Sequence, residues 1–175
     1  MIRLTKSIFF LSLLLAIGAC SKDDATSDDI KGVWKAISFE ATASSTFQGT
    51  GSTSRINSTT VNYTVNFGDS DWTTNGGYTY TTSTTVTGFP ASNSTETVSD
   101  VEGSGTYSID GNEMTLNGSF FEFDFNGMTF NTTSGPQTAN FEINSNGQLI
   151  ISQDETMTSQ GVSTNVTSRS IWERE

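Results

Sequence analysis

Glu122 and Asp124 are the two side chains of this chain best spaced for bond-breaking chemistry. In a β-strand, residues two apart lie about 7 Å from one another on one face, near the separation at which a pair of acids cleaves a glycosidic bond. The residues alternating with them are Phe121, Phe123 and Phe125. A half-buried strand turns those phenylalanines inward and leaves both acids in water, so the pair reads as surface charge. Asp69-Ser70-Asp71 offers oxygens of the kind that bind calcium, yet it lacks the regular acidic spacing and closing glutamate of a calcium loop; it reads as a solvated turn. There is no histidine, and Cys20 is the only cysteine. A Ser-His-Asp hydrolase and an ordinary zinc site are excluded on those grounds. The expectation is a protein that is not an enzyme and uses no cofactor or metal. Trp72, Tyr78 and Tyr80 would form a sugar-stacking platform if exposed, and barrel lining if not.

Strands must position these residues. In Val61-Asn-Tyr-Thr-Val-Asn-Phe67 every odd position is apolar and every even one polar, the period of a strand with one dry face. Phe121–Phe125 and Ala139–Ile143 repeat the pattern, and Tyr78, Tyr80 and Val86 share one parity. Asn75-Gly76, Asp110-Gly111, Asn117-Gly118, Asn126-Gly127 and Asn146-Gly147 are dipeptides that accept the positive φ of tight hairpins. Strands are therefore expected over 32–42, 53–67, 71–87, 95–109, 112–117, 119–126, 128–133, 138–145, 148–157 and 162–173. Eight to ten sequential antiparallel strands remove their exposed edges by closing into an up-and-down β-barrel; a β-sandwich is the alternative. The Ser/Thr/Gly-rich stretches 43–51 and 88–94 read as loops or strand extensions at one rim.

Composition narrows the partners. The formal charge is −11, and the few bases are scattered, so nucleic acid and bare anionic lipid are poor partners. With one cysteine no disulfide within the chain can hold the fold. Stability must come from a closed, well-packed sheet.

Arg3 and Lys6 precede an apolar run that ends in Ile17-Gly18-Ala19-Cys20. The run is too short to cross a bilayer as a helix and has the flanks of a secretory signal. It resembles the signal peptide and lipobox of a bacterial lipoprotein, which implies cleavage after residue 19 and lipidation of Cys20. Ser21-Lys22-Asp23-Asp24 is similar to the export signal of Bacteroidetes-type surface lipoproteins. The implied organisation is a signal peptide (1–19), a lipidated cysteine and flexible tether (20–30) and one domain (31–175), held at the outer membrane and displayed at the cell surface.

Gly32-Val33-Trp34 resembles the opening strand of the lipocalin superfamily. Together with Gly105-Thr-Tyr-Ser-Ile-Asp-Gly-Asn-Glu-Met-Thr-Leu116 and the terminal Ile171-Trp-Glu-Arg174, it is similar to small lipocalin-like lipoproteins. The resemblance implies that Trp34 plugs one end of the barrel with an arginine across its ring, Arg174 in preference to Arg169. It also implies a barrel that binds a small apolar ligand, without catalysis, among Tyr63, Val65, Phe67, Tyr107, Phe121, Phe123, Phe125 and Phe141. The alternative is a structural module, or one that recognises a glycan or another envelope protein through its Ser/Thr-rich rim.

Overall fold

A computed structural model describes residues 27–118, 121, 123–125, 128–130, 136–159 and 162–175. One helical turn, α1 (Ser27–Ile30), precedes ten strands: β1 (Gly32–Phe47), β2 (Thr50–Phe67), β3 (Asp71–Val86), β4 (Ser92–Asp110), β5 (Glu113–Asn117), β6 (Phe123–Phe125), β7 (Met128–Phe130), β8 (Gln137–Ile143), β9 (Leu149–Ser159) and β10 (Val162–Arg174). Eight of them close into an antiparallel barrel in the order β1-β10-β9-β8-β5-β4-β3-β2. The expected all-β barrel is thus the observed architecture.

Two of the expected barrel strands stand apart. β6 and β7 form their own two-stranded sheet, while β5 pairs directly with β8. Of the stretches read as loops or strand extensions, 88–94 holds a connection over 88–91 before β4 opens at Ser92. The other, 43–51, is mostly extension: β1 runs on to Phe47 and β2 starts at Thr50, leaving only residues 48 and 49 between them. Threonine and serine favour this, because their branched or small side chains suit a pleated surface with a wet outer face. Outward threonines also bond sideways, as between Thr79 and Thr97 at 3.0 Å.

Asn75-Gly76 is not a turn. It lies inside β3, where Tyr63 faces Gly76 and the register with β4 slips between Gly76 and Tyr78. Gly76 has φ of 121°, and a Cβ there would sit 2.1 Å from the Asn62 carbonyl oxygen, so only glycine fits here. The extra residue of the slip lies on β4, between Val98 and Val101, where Asp100 has φ of 56°. Similar slips occur between Ala36 and Ser38 and between Ser58 and Thr60. Each extra residue reverses the inward parity: Trp34 and Ala36 point in below the slip in β1, and Phe39, Ala41 and Ala43 above it.

Hairpins of a meander alternate between the two ends of a barrel. One end collects α1, the start of β1, the turns after β2, β4 and β8, and the end of β10; we call it the base. The other carries the β1–β2 and β3–β4 hairpin tips and is the rim.

Candidate functional site

The base is sealed from the residues upward. Trp34 faces Arg174 across the β1–β10 pair, and the Arg174 guanidinium carbon stands 4.5 Å from the centre of the Trp34 ring, a cation–π contact. Arg169 faces Glu40 much further along the pair. Arg174 also donates to the carbonyl oxygens of Lys31 (2.9 Å) and Asp29, and Trp34 Nε1 donates to that of Ile30 at 2.6 Å. Ile30 is fully buried. α1, just ahead of the domain expected from residue 31, thus packs against the base. Cys20 and the rest of the expected tether lie outside the described residues.

Asp69 is an ion-pair partner: Lys31 bridges Asp28 and Asp69 at 2.8 Å each. The lysine holds the Asp69 carboxyl below the usual aspartate range by hydrogen bond and charge, and Lys31 itself is pushed up by the same two acids. Among the described residues no three ligating side chains gather as a metal site.

Inside, most of the expected ligand-lining residues form a packed core. Tyr63, Val65, Phe67, Tyr107 and Phe141 are all buried. Tyr107 donates its hydroxyl to the Gly68 carbonyl oxygen at 2.6 Å, and burial pushes its pKa above the usual tyrosine range. Phe121 is the decisive side chain. Its ring centre lies 4.5 Å from Phe39, 5.4 Å from Tyr63, 5.5 Å from Tyr78 and 5.6 Å from Trp172. These four come from β1, β2, β3 and β10, so Phe121 sits among rings drawn from half of the barrel wall.

No family model, curated protein or solved structure matches this chain.

Phe123 and Phe125 belong to β6, of which the backbone alone is described, and Glu122 lies outside the described residues. Trp72, Tyr78 and Tyr80 are buried, so they are lining and not a sugar platform. Gly105 and Gly118 make room for Trp72: a Cβ on either would come within 2.6 Å of its ring. Gly105 of the Gly-x-Tyr motif is in this way a packing residue.

Aromatic exposure lies at the rim instead. Phe89 is 69% and Phe47 52% exposed, the most exposed large apolar side chains among the described residues. Sequence reasoning passed over both. The signal available was an aromatic next to tight-turn residues, Phe47-Gln48-Gly49 and Gly88-Phe89-Pro90, with no charged neighbour. Positive φ at Gln48, Gly49 and Gly88 confirms the tight turns. Thr87 N donates to Gly51 O at 2.9 Å, which ties the two tips together, and Phe89 N to Val86 O at 3.0 Å, which closes the β3–β4 tip on itself.

Proposed function

We propose that this is a non-catalytic, lipid-anchored lipoprotein of the outer membrane that works as an interaction module, with the rim as its working surface. The observation that supports the reading is the packing of Phe121 against Phe39, Tyr63, Tyr78 and Trp172, which puts its ring among the side chains that would line a calyx. Support for the anchor is the leader ending at Cys20, and the likeness to lipocalin-like lipoproteins belongs to the same proposal. Support for display at the cell surface is the likeness of Ser21-Lys22-Asp23-Asp24 to a surface-export signal, a lysine followed by two acids.

A second reading, a small apolar ligand held inside the barrel, draws on the small buried side chains of Ala41, Ala43, Ser54 and Thr84 on β1, β2 and β3. Binding there asks Phe121 to leave its cage. Uptake of a fluorescent fatty acid by the purified domain separates the two. The exterior reading expects no uptake by the wild type and measurable uptake by Phe121→Ala, whose cavity is lined with aromatic rings. Stoichiometric uptake by the wild type would establish the interior reading in its place.

A further inference from the structure

Charge is distributed very unevenly along the barrel. Residues 41–54, 72–95 and 156–168 contain no Asp, Glu, Lys or Arg, in a chain with a net charge of −11. The β1–β2 and β3–β4 tips fall inside the first two of these stretches. The base, by contrast, carries Asp28, Asp29, Lys31, Asp69, Asp71 and Asp110 on its turns. The rim is thus a neutral surface on an acidic molecule, made of hydroxyls, amides and two protruding rings.

We infer that the rim binds a neutral polysaccharide, with Phe47 and Phe89 stacking on sugar rings and the Ser, Thr, Asn and Gln side chains around them exchanging hydrogen bonds with sugar hydroxyls. This rests on the exterior reading given above and names its partner. Three observations favour a glycan. An uncharged polymer is not repelled by the rim and costs little to desolvate against it, whereas an anionic polymer meets the field of the whole acidic protein. The tips are hydrogen-bonded to each other through Thr87 and Gly51, so both exposed rings stand on joined hairpins. Their loops supply donors and acceptors beside the rings, Gln48 and Thr50 at one tip and Thr87, Ser92 and Asn93 at the other, where a lipid surface would reward apolar residues alone.

Native affinity electrophoresis in gels holding dextran, laminarin, yeast mannan or galactomannan tests this, with alginate as the anionic control. The expected result is at least a twofold drop in mobility in one neutral gel, none in alginate, and return to free mobility in the F47A/F89A double variant. Circular dichroism melting of that variant is expected to match the wild type, because both side chains are exposed. Normal mobility in all four neutral gels, or retardation that survives the double substitution, would overturn the inference. So would Phe-dependent partitioning onto phosphatidylcholine vesicles without any neutral-glycan retardation, which would assign the rim to lipid. These outcomes are independent of the fatty-acid experiment: loss of the glycan with no interior uptake leaves an exterior module with another partner.

Discussion

At the scale of single residues, Gly105 shows how a short motif encodes packing rather than chemistry. A Cβ on it would lie 1.9 Å from the Asn117 carbonyl oxygen and 2.6 Å from Trp72 Cζ2, so neither backbone nor indole has room to yield. Gly111, in the β4–β5 turn, has φ of 62° and nothing within 4 Å of its would-be Cβ. Alanine there meets only the left-handed backbone cost of about 1–2 kcal/mol. Gly105→Ala is expected to lose about 3 kcal/mol, and Gly111→Ala about 1 kcal/mol, in urea melts of the soluble domain. Equal losses would show that Trp72 tolerates displacement. Arg174 is legible through the lipocalin resemblance alone, which implies an arginine of the last strand across the Trp34 ring, and the two residues do face each other in the β1–β10 pair. Alternation in sequence makes Phe121 one lining residue among several, because it does not tell a wall residue from one that enters a cage of rings from four other strands.

At the scale of elements, the base latch joins α1 to the β2–β3 turn through Lys31. The Asp69 carboxyl titrates below its usual range in the folded protein, so the latch stabilises above the ordinary aspartate pKa and is lost as pH falls through the depressed one. Lys31 is shifted upward, so its share is present below the ordinary lysine pKa and fades only at strongly alkaline pH. Amide exchange of residues 28–31 is expected to accelerate as pH drops below about 4, after correction for intrinsic rates. In Asp69→Asn the Asp69 part of that acid response should disappear; an unchanged profile would move the latch elsewhere. The strands themselves were readable wherever parity is unbroken, as from Val61 to Phe67. It failed at the bulges, because one inserted residue reverses the facing of everything beyond it without altering local composition. Asn75-Gly76 differs for a related reason: a glycine with positive φ serves inside a strand, where it clears the Asn62 carbonyl oxygen, as well as in a hairpin. Asp110-Gly111 and Asn146-Gly147 do make turns, the second held by Asn144 Oδ1, which accepts from Asn146 N at 2.9 Å and Gln148 N at 3.0 Å.

At the scale of the whole molecule, the latch and the lipid proposed on Cys20 would together set an orientation. The chain enters the barrel at the base, where Ile30 is buried and Arg174 holds the carbonyls of Asp29 and Lys31. Residues 21–26 span at most about 20 Å when extended, at roughly 3.3–3.6 Å each. A strand the length of β1 covers about 50 Å at ~3.3 Å per residue, or about 40 Å along the axis at a barrel tilt of about 40°. A lipid on Cys20 therefore keeps the base near the membrane and holds the rim beyond the tether's reach, facing away. Single labels on Asn146→Cys at the base and Ala91→Cys at the rim, with lipidated protein on vesicles carrying an acceptor lipid, measure this directly. Energy transfer is expected to be several-fold stronger from the base label. Cys20→Ala should abolish transfer from both positions, because an unanchored acidic barrel has little affinity for the vesicle. Stronger transfer from the rim would mean that Phe47 and Phe89 seek the membrane themselves, and would set the lipid surface above the polysaccharide as their partner.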